Sequence, residues 1–211
     1  MHINKIKLYN YRNYENIEIE FDKNINIIIG KNAQGKTNLI EAIYVTSMGK
    51  SFRTSKDNEL IKFNSEFCKI NSEYIKYEED GNVEVAISKD KKAIKVDGVN
   101  IKKISQLMEN VLTVVFSPED LKIVKEEPQK RRNFIDRELC QLKISYFSNL
   151  GNYKKILLQR NSYLKEKNID ENILEVWDDQ LADYGSKIII ERNQFVKNLN
   201  EISKNIHKKI T

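Results

Sequence analysis

A glycine-rich octapeptide between two apolar segments places the strongest constraint on how this chain can fold. Gly30–Thr37 fits the pattern G-x-x-x-x-G-K-S/T at every defined position. Directly before it, Ile25–Ile29 is a nearly continuous β-branched run, which predicts a strand buried on both faces. Directly after it, Asn38–Met48 is apolar around most of a helix, and Gly49 is a natural helix stop. The sequence therefore predicts a strand, a loop and a buried helix in direct succession.

The residue types of this loop suit the triphosphate tail of a nucleotide. Its two glycines let the backbone turn tightly, so that successive N–H groups point at phosphate oxygens. Lys36 supplies a cation for the β- and γ-phosphates, and the Thr37 hydroxyl can bind magnesium. We therefore predict ATP and Mg²⁺ as ligands, with Thr37 as the metal ligand. The predicted nucleotide-binding residues of the loop are Gly30, Lys31, Asn32, Ala33, Gln34, Gly35, Lys36 and Thr37.

Alternation of apolar and polar residues predicts a sheet on either side of this unit. Asp97-Gly98 is a two-residue hairpin signal, so part of the sheet should be antiparallel. The predicted strands are His2–Leu8 at an edge, Asn16–Phe21, Val83–Ile87, Ala93–Val96, Val99–Ile101 and, as a further buried strand, Val111–Phe116.

Beyond residue 117 the apolar pattern becomes helical. Ser117–Asp120 is a good helix start, because serine caps, proline follows at the first helical position and acidic residues fill the first turn. Pro128 predicts the start of another helix, and apolar residues at steps of three and four predict a long helix from Ile173. This last helix suits an antiparallel helical arm.

Composition limits the class of protein without identifying it. Hydrophobic residues make up 40% of the 211 residues and charged residues 32%, which indicates a globular chain with a real core. The formal charge of +5 suits contact with nucleic acid, but many other soluble proteins share it. No segment approaches the roughly 20 apolar residues of a membrane span or has a signal-peptide core, so we expect a cytoplasmic protein. Cys68 and Cys140 are expected to be reduced thiols.

Four segments, in the same order along nearly the whole chain, resemble the RecF family of bacterial DNA replication and repair proteins, which is related to SMC and ABC-type ATPases. The segments are KIKLYNYRNYENIEIEF, IIIGKNAQGKTNLIEAIYVTSMGKSFRTSKDNELI, VVFSPEDLKIVKEEPQKRRNFID and WDDQLADYG. The resemblance implies an α/β fold: an ABC-type P-loop ATPase lobe with mixed and antiparallel sheet over residues 1–127, and a helical arm domain over 128–211.

The resemblance also assigns roles outside the loop. Arg12 and Asn13 match an element that lies beside the nucleotide in relatives, although a solvated hairpin tip would explain them equally well. Arg53 resembles an arginine that couples DNA to hydrolysis, and its alternative role is a surface ion pair. Arg131 and Arg132 match a basic stretch that could contact DNA phosphates or simply face solvent.

The chain departs from the family in two ways. Ser117–Asp120 stands where ABC-type relatives place a glutamine loop, and no glutamine is present there. The signature segment and the Walker B acidic pair do not occur before Thr211. We therefore expect the N-terminal part of a longer protein, with weak nucleotide binding and negligible hydrolysis on its own.

The resemblance implies an ATP- and DNA-binding protein of recombinational repair, replication restart and the SOS response to DNA damage. It would form an ATP-dependent homodimeric clamp on DNA with single-stranded gaps or junctions, act with a RecR-type mediator and help RecA loading. Three alternatives remain open from the sequence: the ATPase subunit of a nuclease-associated ABC-type system, a small-molecule P-loop kinase, and a helical scaffold with an idle loop.

Overall fold

The structure is a computed structural model and describes residues 1–108, 110–121, 123, 127–166 and 168–210. The chain divides into two compact units, Met1–Val115 and Phe116–Thr211. This division falls earlier than the boundary predicted after residue 127.

A six-stranded antiparallel sheet with the order β2-β1-β3-β4-β5-β6 forms the first unit. The strands are β1 His2–Tyr11, β2 Tyr14–Glu20, β3 Phe67–Lys76, β4 Glu79–Ser88, β5 Lys92–Val96 and β6 Val99–Asn100. The predicted hairpin at Asp97-Gly98 is confirmed: both residues have positive φ, 50° and 79°, as a tight two-residue turn requires. The predicted edge position of the first strand is wrong, because β1 pairs with β2 on one side and with β3 on the other.

One face of the sheet is covered by the helix that follows the glycine-rich loop. This helix, α1, spans Lys36–Met48, and its apolar residues pack on alternate residues of the strands. The fully buried side chains Ile6 and Leu8 of β1 and Val83 and Val85 of β4 lie in this core. Short helical turns at Asp57–Leu60 and Ser105–Met108, the second called α2, complete the first unit. The predicted α/β lobe is therefore confirmed.

Charges on the strands are paired within the sheet. The Lys5 amino group lies 2.8 Å from Glu18 and 2.9 Å from Glu20 across the β1–β2 pair. Lys69 on β3 lies 2.6 Å from Glu84 on β4. Such partly exposed pairs add little stability, but they cancel the charge locally. The net positive charge of the chain is therefore not concentrated at these positions.

The helix stop predicted at Gly49 is confirmed. Gly49 has φ of 65°, in the left-handed region, and its N–H donates to the carbonyl of Val45 at 2.8 Å. This geometry ends α1 by satisfying one of its last carbonyl groups.

Two strands predicted as buried are not formed. Ile25–Ile29 and Val111–Phe116 have no strand pairing among the described residues. Ile25 and Ile29 are 80% and 86% exposed, and Val114 is 84% exposed. A strand requires hydrogen-bond partners on a neighbouring strand, and all pairings described in this sheet are antiparallel and use other segments. The mixed part of the predicted sheet is therefore absent from the described residues.

The second unit is helical. After a short turn at Pro118–Leu121, helix α3 spans Pro128–Leu142, α4 spans Ile144–Tyr163 and α5 spans Glu171–Ile210. Directly before the turn at Pro118–Leu121, the Ser117 N–H and hydroxyl both donate to Asp120 Oδ2, at 2.7 and 3.0 Å. These bonds are of the kind that caps a helix, and capping alone explains why serine and aspartate occupy these two positions.

Helices α4 and α5 run antiparallel, as predicted for the arm. Lys143 contacts Glu191, whereas Arg160, farther along the chain, contacts Asp178, which comes earlier. At 1.5 Å per residue, the 40 residues of α5 make a rod of about 60 Å. No helix in the described part of the chain combines the length and apolar character needed to cross a bilayer.

A buried ion pair joins three helices of this unit. Asp136 on α3 is 8% exposed and accepts hydrogen bonds from Arg192 Nε and Nη2 on α5, both at 2.9 Å. The Tyr146 hydroxyl on α4 donates to the same carboxylate. Burial, and then the bond to Asp136, raise the pKa of Tyr146 above its ordinary value, so the hydroxyl remains protonated.

We predict that Arg192→Met destabilises the chain by about 3 kcal/mol, because it leaves the buried Asp136 carboxylate without its cation. Lys187→Met is the matched control: it removes an exposed pair with Asp183 on the same helix and should change stability by less than about 0.5 kcal/mol. Urea unfolding of both variants measures the difference. Equal losses of stability in the two variants would show that the buried pair contributes no more than the exposed pair.

Candidate nucleotide-binding site

The glycine-rich loop takes a sharply turned path at the surface. Gly30, Ala33 and Gly35 have φ of 153°, 65° and 100°. All residues of the loop from Gly30 to Gln34 are exposed, so the loop is not threaded into the interior. Ala33 adopts the left-handed conformation without being glycine, which costs about 1 kcal/mol. This cost indicates that the surrounding structure holds the loop in its turned form.

Gly35 is required at its position for steric reasons. A Cβ atom added there would lie 2.7 Å from the Asn13 side-chain amide and 2.9 Å from the ring of Tyr14. At Gly35 the loop therefore lies so close to the turn between β1 and β2 that no residue with a side chain fits there.

Polar side chains of the loop are turned onto its own backbone. The Lys36 ammonium group donates to the carbonyl oxygens of Gly30 and Lys31, both at 2.7 Å. The Gln34 side-chain oxygen accepts the Lys31 N–H at 2.9 Å. Lys36 thus lies across the loop and is bonded to the backbone at its start.

The predicted site residue Asn13 lies against the loop. Its amide nitrogen donates to the Gln34 carbonyl at 3.2 Å, and its oxygen accepts from Asn38 Nδ2 at 2.8 Å. Asn38 stands in the first turn of α1, directly after Thr37. The turn between β1 and β2 is therefore tied to both the loop and the start of α1.

Arg12, the other predicted residue of this turn, contacts α1 and the helical turn at Asp57–Leu60. Its Nε and Nη2 donate to the two carboxylate oxygens of Glu41, at 2.9 and 2.7 Å, and its Nη1 donates to the Glu59 carbonyl at 2.7 Å. All three guanidinium nitrogens are therefore used within the protein.

Glu41 is a central residue of the site that the sequence analysis missed. It lies on α1 with no exposed surface, and besides Arg12 it accepts from the Ser51 hydroxyl at 2.5 Å and from Arg53 Nη1 at 3.3 Å. Burial alone would raise the pKa of Glu41, but the hydrogen bonds from Arg12 and Ser51 and the charges of both arginines hold it below its usual value. The carboxyl is therefore ionised at neutral pH. We call Arg12, Glu41, Ser51 and Arg53 the Glu41 cluster.

A signal for this cluster exists in the sequence. Glu41 is a carboxylate inside a helix that is apolar around most of its circumference, and a buried carboxylate requires a cationic partner. Which arginines supply the charge depends on contacts between residues up to 29 positions apart.

Arg53, the third predicted residue outside the loop, also reaches the start of α1. Its Nη1 donates to Asn38 Oδ1 at 2.7 Å, and its side chain is 43% exposed. The structure thus brings Arg12, Asn13 and Arg53 into one network of contacts that begins at the loop. Arg131 and Arg132 lie on α3 in the second unit, where Arg132 donates to Gln129 at 2.8 Å.

No group of three or more histidine, cysteine, aspartate or glutamate side chains with metal-site geometry occurs among the described residues. The exposed Thr37 fits magnesium bound by one hydroxyl and by phosphate oxygens, because Mg²⁺ is commonly held in that way. Cys68 and Cys140 are buried and form no disulfide within the described part of the chain. Burial raises the pKa of the Cys68 thiol to about 12, so it is not reactive.

A loop of this sequence that opens a buried helix against an antiparallel sheet defines a P-loop ATPase lobe of the ABC type. The family model described as AAA domain matches residues 5–211, and the chain belongs to this family.

Within that class, the chain corresponds over its whole length to the N-terminal part of RecF. It is 46% identical over 211 residues to the DNA replication and repair protein RecF of Clostridioides difficile and 50% identical over 212 residues to that of Clostridium perfringens. All of this chain is covered in both cases, but only 57% and 59% of those proteins. A solved structure of the recombination mediator protein RecF with ATP, in the RecFOR pathway, has a TM-score of 0.89 and 39% identity, and covers 93% of this chain and 54% of that one.

We predict that Gly35→Ala destabilises the chain by at least about 2 kcal/mol, because strain at positive φ adds to the overlap with Asn13 and Tyr14. Gly98→Ala is the control: Gly98 also has positive φ, but no atom lies within 4 Å of the added Cβ. Gly98→Ala should lower the free energy of unfolding only by the backbone strain at positive φ, about 1 kcal/mol. Urea unfolding measures the stability of both variants. Equal losses of stability in Gly35→Ala and Gly98→Ala would contradict the close packing of the loop.

Proposed function

We propose that this chain binds ATP and Mg²⁺ at Gly30–Thr37 as the N-terminal part of a RecF-type protein. The observation that carries the proposal is the exposed, tightly turned loop at the N-terminal end of α1. Backbone N–H groups of the loop and the positive end of the helix dipole would bind the phosphates. Thr37 would hold magnesium. The similarity to RecF with ATP supports the same ligand here.

Binding would exchange contacts of the loop for contacts to phosphate. The Lys36 ammonium group would leave the carbonyl oxygens of Gly30 and Lys31 for the β- and γ-phosphates. The Lys31 N–H would leave the Gln34 side chain in the same way. Asn13 would remain beside the loop because it also bonds to Asn38.

The proposal extends to DNA. The names of the relatives, DNA replication and repair protein and recombination mediator of the RecFOR pathway, support a role in DNA replication and recombinational repair. We extend the proposal to replication restart and the SOS response, in the cytoplasm. The complete protein would act as an ATP-dependent homodimer on DNA with single-stranded gaps or junctions, with a RecR-type partner, and help RecA loading. Since the chain spans less than three fifths of the curated relatives it matches, these activities belong to the proposal.

We predict that Lys36→Ala weakens binding of Mg-ATP at least about 10-fold, because it removes the cation that meets the β- and γ-phosphates. Lys23→Ala is the matched control, since Lys23 is an exposed lysine before the loop. Isothermal titration calorimetry measures both. The proposal fails if the unmodified chain binds no Mg-ATP, or if both variants bind it as the unmodified chain does.

Hydrolysis by residues 1–211 alone should be negligible. Phosphoryl transfer to water needs a group that orients the attacking water. The carboxylate of the described network that lies on α1 is Glu41, which is fully buried and bonded to two arginines and a serine. Glu41 therefore cannot orient the attacking water or accept a proton from it. We expect phosphate release from Mg-ATP no faster than in a Lys36→Ala preparation, as measured by a continuous phosphate assay. Release that disappears in Lys36→Ala would refute this expectation.

A further inference from the structure

A tight turn before β3 holds a phenylalanine ring out in solvent. The Ser65 N–H donates to the Lys62 carbonyl at 3.0 Å, and Asn64 has φ of 64°, so residues 62–65 form a β-turn. Phe63 stands at the second position of this turn and is 87% exposed. A single exposed apolar residue needs no explanation by itself, so the surroundings of Phe63 decide what it can do.

The backbone that carries Phe63 is fixed to the end of β1. The Arg12 N–H donates to the Leu60 carbonyl at 2.8 Å, and the Lys62 N–H donates to the Asn10 carbonyl at 2.7 Å. The segment before the turn is therefore paired with β1 on both sides of residue 61. An aromatic ring presented from a backbone that is already ordered loses little further freedom when a ligand binds to it.

Phe63 forms part of the wall of an open cavity of about 350 Å³. This volume lies at the lower end of the range for sites that bind small ligands, about 300–1,000 Å³. The cavity presents the aromatic ring together with the Asn58 amide, the Ser65 hydroxyl and the ammonium groups of Lys62 and Lys89. The lining also includes Ile61 and one carboxylate, Asp90. None of the residues Gly30–Thr37 is among the lining residues, so this cavity is separate from the predicted nucleotide site.

The same end of the sheet carries two more partly exposed aromatic rings. Tyr9 and Phe67 are 44% and 46% exposed, and their ring centroids lie 5.5 Å apart. Phe67 pairs with Ser88, the last residue of β4. The exposed Lys89 and Lys91 follow directly, in a tip closed by the bond from the Ser88 N–H to the Lys91 carbonyl at 2.8 Å. Aromatic faces and ammonium groups therefore occur together at this end of the sheet.

We propose that Phe63 stacks on an unpaired base of single-stranded DNA, while Lys62 and Lys89 contact the phosphates beside it. Aromatic rings next to lysines are the groups with which proteins bind single strands. In a duplex each base is already stacked on its neighbours, so the surface would favour an unpaired strand over a duplex. Asn58 and Ser65 supply hydrogen-bonding groups for the edge of the base. The inference rests on the proposed binding of gapped DNA and identifies the surface that receives the unpaired strand.

The first test is Phe63→Ala, with DNA binding followed by fluorescence anisotropy in the presence of Mg-ATP. We expect about 10-fold weaker binding of a single-stranded oligothymidine of about 16 nucleotides, because one stacking contact is lost. Binding of a duplex of the same length should change less than about 2-fold. The folded chain should be unaffected because the ring is exposed, and the affinity for Mg-ATP should remain unchanged.

Tyr77→Ala is the matched control for this variant. Tyr77 is an aromatic residue with the same exposure, 88%, and it lies on the turn between β3 and β4 at the opposite end of the sheet. Its replacement should leave the affinity for the oligothymidine unchanged.

Two further substitutions at the same position separate stacking from general apolar contact. Phe63→Trp keeps an aromatic face, so it should bind the oligothymidine at least as tightly as the unmodified chain. Phe63→Leu keeps an apolar side chain without that face and should be as weak as Phe63→Ala. Binding by Phe63→Leu that equals binding by the unmodified chain would indicate an apolar docking surface, as for a protein partner, and would overturn the inference.

The role of Lys89 is tested by the dependence of binding on salt. Each phosphate that a lysine neutralises on a single strand contributes about 0.7 to the slope of log affinity against log salt concentration. Lys89→Ala should reduce this slope by about that amount, about 0.7, whereas Phe63→Ala should leave the slope unchanged. Lys23→Ala is the control, since Lys23 is an exposed lysine outside the cavity. An unchanged slope in Lys89→Ala would refute its contact with phosphate.

The outcomes distinguish the inference from the function on which it rests. A loss in Phe63→Ala that is confined to the single strand, and that Phe63→Trp does not show, supports the inference. Equal losses for single-stranded and duplex DNA, or no loss for either, overturn it and leave DNA binding itself in place. An unmodified chain that binds neither form of DNA overturns the inference together with the proposed DNA binding, whereas the proposed site for Mg-ATP is tested separately by calorimetry.

Discussion

A carboxylate buried inside an apolar helix is the constraint on which the geometry of the site depends. Glu41 has no exposed surface, and an ionised group so placed is tolerated only when it is paired and hydrogen-bonded. Arg12 from the turn between β1 and β2, and Ser51 and Arg53 from the segment after α1, meet this requirement. The turn between β1 and β2 and the segment after α1 are thereby tied to the helix that the loop opens.

This arrangement connects the loop with the sheet below it. Asn13 stands beside Arg12 in the same turn, so the ion pair that holds Arg12 also holds Asn13 against the Gln34 carbonyl. Gly35 permits the close approach, because any side chain there would overlap Asn13. The loop therefore owes its position to the sheet as well as to its own sequence.

Sequence reasoning predicts the features that depend on residues close together in the sequence. The loop, helix α1 with its stop at Gly49, the hairpin at Asp97-Gly98 and the antiparallel helices α4 and α5 follow from residue type and spacing. The direction of Arg12 does not, because it depends on Glu41, which is distant in sequence. Ile25–Ile29 shows a further limit: an apolar β-branched run indicates a need for burial, but a strand also needs a neighbour with which to pair.

The uncovered segments affect how the molecule behaves in concentrated solution. Ile25–Ile29 has high β propensity, no charge and no proline, and its isoleucines at 25, 27 and 29 are more than three quarters exposed. Segments of this kind form cross-β contacts between identical chains. Val114, which is 84% exposed, is a further exposed apolar residue of the same unit. We therefore expect association between copies of this chain at high concentration to begin at these residues.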